Sequence, residues 1–216
     1  MIHVNLPTQK NSIIVLYGPM FASKTTTLIH MAQDIGERAL IVKPSIDDRF
    51  DQKNIVTHDG NFLQAIPLKQ LDHVKKLVQK DTKAVLIDEG HLFGESIVDL
   101  CDWFRSHNLL VVIALVDHDH QGFDYDRESW VRLAGDRGLR TNHLIHLADI
   151  GIRLSARCSV CGEIALRFKR VISGRLGPDD PYVWVAGGDV YKPLCRIHFE
   201  QLCKNKFLRK LSPSKD

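Results

Sequence analysis

The stretch VLYGPMFASKTTTLIH, Val15 to His30, joins the end of an apolar run to an amphipathic pattern through a loop that opens on glycine. Gly18, Lys24 and Thr25 fit the phosphate-binding pattern G-x-x-x-x-G-K-[ST], and Ser23 stands where that pattern has its second glycine. The surroundings suit such a loop. Ser12 to Tyr17, SIIVLY, reads as a buried strand, and Thr25 to Gly36 as a helix with Leu28, Met31, Ala32 and Ile35 on one face. In that setting backbone N–H groups of the loop and helix N-terminus hold phosphates, Lys24 reaches the β- and γ-phosphates, and Thr25 offers its hydroxyl to Mg²⁺. Ser23 adds a Cβ, so it either takes the same backbone conformation or shifts the loop. The competing reading is a glycine-initiated turn beside a solvated lysine.

Outward from this loop, Ala39 to Lys43, Ala84 to Ile87 and Leu109 to Val116 are further apolar runs of strand length. Between the last two, ESIVDLCDWFRSHN (Glu95 to Asn108) carries Ile97, Cys101 and Phe104 at helical spacing, which makes Cys101 a core residue. Strands alternating with helices imply a parallel sheet covered by helices, with ligands bound at the carboxyl ends of the strands. At that edge the run VLIDEG, Val85 to Gly90, ends in two carboxylates. Asp88 suits the holding of Mg²⁺, directly or through water, and Glu89 the polarising of an attacking hydroxyl or water. Acidic residues at strand ends also cap helices. Two partial motifs in the right order nevertheless reinforce each other as a nucleotide site.

A chain of 216 residues, 44% of them hydrophobic, buries one sizeable core and a small appended module. The balance of 29 Lys+Arg against 26 Asp+Glu is too even to argue for nucleic acid as a partner, and the basic CKNKFLRK (Cys203 to Lys210) reads as a solvated terminus. No run approaches the roughly 18 apolar residues of a membrane span, and no signal-peptide pattern opens the chain. The expectation is a cytosolic protein without a membrane partner, in which five cysteines serve metal or core rather than disulfides. After about Gly151 the long apolar runs give way to cysteines, glycines and turn residues, including PDDP (Pro178 to Pro181). The expected division is a nucleotide-binding core over 1–151 and a zinc module with a basic tail over 152–216. Cys158-Ser-Val-Cys161 and Cys195-Arg-Ile-His198 are two knuckles whose three thiolates and imidazole make a closed, structural zinc set. Cys203 lies outside both.

With these motifs in place, the chain from Ile14 to about Phe199 resembles the type II thymidine kinases. GPMFASKT resembles that family's G-P-M-F-[SA]-G-K-[ST], and DDRF with THDG (Asp47 to Phe50, Thr57 to Gly60) its D-[ST]-R-[YF] and following T-H segment. IDEGHLF resembles D-E-[AG]-Q-F-F, VDHDHQGFDY resembles L-D-x-D-F-R-G-x-P-F, and VAGGDVYKPLCRIH resembles the closing G-G-x-x-x-Y-x-x-x-C-R-x-[CH]. The resemblance implies an α/β fold: a P-loop, RecA-like parallel sheet flanked by helices, with a small C-terminal zinc-binding lasso that covers a nucleoside. It implies ATP and Mg²⁺ as cofactors, Zn²⁺ as a structural ion, and a homotetramer or homodimer. It makes Glu89 the general base for the nucleoside 5′-hydroxyl, with Asp88 and Asp47 near Mg²⁺, and Lys24 and Arg49 stabilising the transferring phosphoryl. The cofactor set is then Gly18, Pro19, Met20, Phe21, Ala22, Ser23, Lys24, Thr25, Asp47, Asp88 and His91. The nucleoside set is Met20, Leu92, His120, Phe168, Val183, Val185, Gly187 and Tyr191, with main-chain groups of Val183 to Gly187 against the base.

Departures from the pattern gather at the nucleoside. His91 replaces a Gln, Leu92 a frequent Phe, His120 a stacking Phe and Phe168 a common Thr, and the GGDVY segment is one residue short. His118 and His120 read as polar residues on a strand-end loop. Phosphoryl transfer to thymidine from ATP is the expected activity, with base selection broadened. The alternatives are a kinase for another or modified nucleoside or nucleotide, and a non-catalytic ATP-binding zinc protein.

Overall fold

The computed structural model describes residues 10–45, 54–56, 62–94, 96–118, 141–170 and 191–211, with side chains described as far as residue 203. Strands β1 (Ile13–Tyr17), β2 (Ala39–Pro44), β5 (Ile66–Leu68), β6 (Ala84–Ile87), β7 (Leu110–Leu115) and β8 (Ile150–Arg153) form one six-stranded sheet in the order β5-β2-β6-β7-β1-β8. Every neighbouring pair in it is parallel. Strands β3 (Asn54–Val56) and β4 (Phe62–Gln64) pair separately and antiparallel.

The alternation of side chains along a strand explains why both faces must be covered. Ile13 and Val15 of β1 point into a cluster with Leu71, Val74 and Ile97, Leu100, Cys101 and Phe104 of helix α2 (Ser96–Ser106). Ile14 and Leu16 point the other way, onto Leu28, Ile29, Met31 and Ala32 of helix α1 (Lys24–Ile35). The sheet is thus sandwiched between helices, as its unbroken apolar strands require. Four of its strands fall within a residue or two of the sequence expectation, and Cys101 is a core residue at 2% exposure.

The last sheet strand, β8, was not legible in sequence. It lies at the sheet edge, alternates half-buried Ile150 and Ile152 with exposed Gly151 and Arg153, and pairs with β1 from Ile14↔Ile150 to Tyr17↔Arg153. The division expected at 151/152 falls inside this strand.

Beyond helix α3 (Thr141–Leu147) and β8, two short antiparallel pairs follow: β9 (Ala156–Arg157) with β10 (Ile164–Ala165), and β11 (Arg167–Arg170) with β12 (Tyr191–Leu194). Helix α4 (Arg196–Leu211) is the last element among the described residues. Ala156, Cys158, Ala165, Leu194, Cys195 and Phe199 form a small core here, and Phe21 of the phosphate loop packs against it. Among the described residues no helix is long and apolar enough to cross a membrane.

Candidate active site and metal centre

The loop after β1 is shaped by backbone conformations that few residues accept. Gly18 has φ 147°, and a Cβ there would lie 2.2 Å from the Leu154 carbonyl oxygen, so no other residue fits. Phe21 (φ 67°) and Ser23 (φ 58°, ψ 27°) are both left-handed. Ser23 therefore takes a glycine-like conformation, at a strain of about 1–3 kcal/mol, and still starts α1 normally, its carbonyl accepting from Thr27 N–H at 2.9 Å. Lys24 is buried, with Nζ donating to the Gly18 carbonyl at 3.1 Å and the Pro19 carbonyl at 2.6 Å. Its ammonium lies across the loop, where a phosphate would meet it.

The adjacent strand supplies carboxylates. Thr25 Oγ1 lies 3.2 Å from each oxygen of Asp88, a buried residue whose backbone N–H donates to the Val42 carbonyl at 3.0 Å. A hydroxyl and a carboxylate this close match neighbouring corners of an octahedral Mg²⁺ shell, about 2.9 Å apart for Mg–O distances of 2.0–2.1 Å. Thr25 and Asp88 thus fit the divalent ion. Glu89 follows in a left-handed conformation (φ 48°, ψ 41°). Gly90 after it has no room for a side chain, since a Cβ would sit 2.5 Å from Ile113 Cγ2, and this packing seats the turn on β7. Glu89 Oε2 is 3.5 Å from His91 Nδ1, and Val116 N–H approaches the same nitrogen at 3.4 Å. One nitrogen serves one of these contacts at a time.

The end of β7 carries a pair, Asp117 and His118, that the sequence pattern does not reveal as one. His118 is not a polar loop residue: it is 6% exposed, and its Nδ1 lies 2.5 Å from Asp117 Oδ1. Arg153 Nη2 stands 3.7 Å from the other Asp117 oxygen. Burial pushes the Asp117 carboxyl up, but the His118 hydrogen bond and the charges of His118, Arg153 and Lys24 outweigh it and hold the group below its ordinary value. The His118 ring lies 5.2 Å from that of Phe168, which meets Tyr191 edge-on at 5.7 Å. The signal available in sequence was an Asp-His doublet directly after an apolar strand.

The structure therefore brings Lys24, Thr25, Asp88, Glu89 and His91 to one edge of the sheet, with Met20 and Leu92 half-buried on the flanking turns. Phe168 and Tyr191 are buried together on β11 and β12. Asp47, Arg49, His120, Val183, Val185 and Gly187 lie outside the described residues.

At the candidate metal centre, the potential ligand atoms of Cys158, Cys161, Cys195 and His198 all lie within 4.8 Å of one another. Cys161 and Cys195 sulfurs are 3.8 Å apart, and Cys158 Sγ is 3.6 Å from His198 Nδ1. A tetrahedral zinc with its usual bond lengths separates two sulfurs by about 3.8 Å and sulfur from nitrogen by about 3.6 Å. The set fits zinc. Burial raises the Cys158 thiol, but backbone N–H groups of Cys195, Val160 and Cys161 outweigh that and bring it down to about 6, toward the thiolate a metal needs.

Comparison with known proteins agrees with this geometry. The family model described as Thymidine kinase matches residues 11–199. A protein named Thymidine kinase from Mycoplasma capricolum subsp. capricolum is 29% identical over 213 residues, covering 94% of this chain and 90% of the relative.

Proposed function

Because the chain belongs to the thymidine kinase family and is an ATP-dependent kinase, we propose that it transfers the ATP γ-phosphoryl group to the 5′-hydroxyl of thymidine, with Glu89 as general base. The observation that carries this reading is the contact of Thr25 with Asp88 one residue before Glu89. It supports a cation site beside a proton acceptor, at the sheet edge where the phosphate loop ends. Mg²⁺ held by Thr25 and Asp88 would neutralise phosphate charge. Lys24 leaves the Gly18 and Pro19 carbonyls for the β- and γ-oxygens, and the loop N–H groups take the remaining charge. Glu89 accepts the 5′-hydroxyl proton as the oxygen attacks phosphorus, and Arg49 with Asp47 completes the phosphoryl environment. His91 stands beside Glu89 and holds its turn against β7.

Met20, Leu92, His120, Phe168 and Tyr191, with the main chain of Val183, Val185 and Gly187, form the nucleoside site in this reading. Its altered side chains favour thymidine with broadened selection over deoxyuridine and deoxycytidine. Residues 1–151 act as the nucleotide core and 152–216 as the module that covers the nucleoside. A zinc ion on Cys158, Cys161, Cys195 and His198 serves structure alone, because a closed four-ligand set leaves no position for substrate. A cytoplasmic homotetramer or homodimer completes the proposal.

The test is Glu89→Gln, assayed for both steps. The amide keeps the shape and cannot take the proton, so turnover should fall about 10²- to 10⁴-fold while ATP affinity stays within about threefold. Parental turnover in this variant would remove Glu89 from the role.

A further inference from the structure

We propose that His118 is a specificity-determining residue whose Nε2, turned away from Asp117, accepts a hydrogen bond from an N–H group of the nucleobase. The proposal rests on the nucleoside-kinase reading and adds to it a side chain outside the expected site.

The hydrogen bond to Asp117 assigns the imidazole proton. A carboxylate only accepts, so Nδ1, at 2.5 Å from Oδ1, carries the hydrogen. Asp117 also faces Arg153 Nη2 at 3.7 Å, so its charge has a cationic partner other than the imidazole. In the neutral imidazole with its proton on Nδ1, Nε2 presents a lone pair. That atom is buried and, among the described residues, has no hydrogen-bond partner. A buried acceptor left unmatched is costly, and most such groups in folded proteins are satisfied. A ligand donor would satisfy this one.

Position restricts which ligand group that is. His118 follows β7, the strand between β6, which carries Asp88 and Glu89, and β1, which carries the phosphate loop. Phosphates belong on the Lys24 and Thr25 side and the 5′-hydroxyl beside Glu89. The His118 ring packs with Phe168 and, through it, Tyr191. Flat aromatic surfaces around one polar atom suit a base rather than a sugar or a phosphate. Since Nε2 is covered, the incoming base must displace a neighbour, and Phe168 is the ring that lies on His118.

An acceptor discriminates between base edges. Cytosine offers a 4-amino donor and a bare N3, whereas uracil and thymine offer a 4-oxo acceptor and an N3–H donor. The experiment measures kcat/KM for deoxycytidine and deoxyuridine, and KM for ATP, in the parental chain, His118→Phe and His118→Gln. Phe keeps an aromatic ring on Phe168 but deletes both nitrogens; Gln keeps a donor for Asp117 and guards against a folding defect in the first variant. The expected result is a change of at least about tenfold in the deoxycytidine to deoxyuridine ratio in His118→Phe. The change should be carried by nucleoside KM, with ATP KM within about twofold and part of the ratio restored by Gln. A ratio within twofold of the parental value in both variants, with turnover intact, overturns the proposal alone. Failure of the parental chain to phosphorylate any nucleoside sinks the kinase reading, and this proposal with it.

Discussion

At the scale of single residues, the site is built from unusual backbone. Phe21, Ser23 and Glu89 are non-glycine residues with positive φ, and all three fall at the sheet edge where phosphate and proton transfer are proposed. Ser23→Gly should release the strain of its left-handed conformation and lose part of the gain to glycine's unfolded-state entropy, for a net of about 0.5–1 kcal/mol. Thermal unfolding should rise by about 2 °C, with ATP affinity little changed; a fall in both would mean that the serine hydroxyl has a role of its own. Asp117 yields a pH prediction. Its folded pKa lies below the ordinary value, so its contribution to stability is fully present above about pH 5 and disappears as pH falls through the folded value. Asp117→Asn should therefore lower the melting temperature at pH 7, and the gap between variant and parent should close in acid, below the ordinary carboxylate range. An equal gap at pH 7 and in acid would contradict this. Gly18, Lys24, Thr25, Asp88 and Glu89 were legible because phosphate chemistry demands those types in that order. The Asp117–His118 pair was not, since nothing in a doublet says that both side chains turn inward.

At the scale of elements, strands buried on both faces announced themselves as apolar runs, and α2 as helical spacing. Phe104, fully buried at the centre of that spacing, should cost about 3–5 kcal/mol on substitution by alanine, read as a shift in denaturant midpoint. Strand β8 leaves no such mark in sequence, because an edge strand needs to be apolar at only every second position and four residues are too few to show it. The knuckles were legible through their spacing, but not their contact with the phosphate loop, which depends on Phe21 reaching the small core around Cys158 and Cys195. Zinc removal should accordingly weaken ATP binding as well as stability. A chelator should open Cys158, Cys161 and Cys195 to alkylation, while Cys101, whose thiol burial pushes up to about 11, should stay unlabelled until the chain unfolds. Mass mapping of the labelled sites distinguishes these cases, and chelator-independent labelling of the knuckle cysteines would argue against a bound ion.

At the scale of the whole molecule, one parallel sheet gathers a phosphate loop and a carboxylate pair at its carboxyl edge, and a module built around a cluster of three cysteines and a histidine packs onto the loop itself. The order of motifs made that architecture readable in sequence, because parallel topology forces successive strand ends to one edge. Base selection was less readable. In the proposed site it falls to side chains such as His118, Phe168 and Tyr191, whose rings meet from distant parts of the chain. The central claim is transfer of a terminal phosphoryl group to a nucleoside hydroxyl, and its most direct measurement is the product. With γ-labelled ATP, Mg²⁺ and thymidine, the account predicts labelled thymidine 5′-monophosphate formed in step with ADP, at a rate about 10²- to 10⁴-fold lower in the Glu89→Gln variant. ATP binding without a labelled product from thymidine, deoxyuridine, deoxycytidine or a purine deoxynucleoside would contradict it.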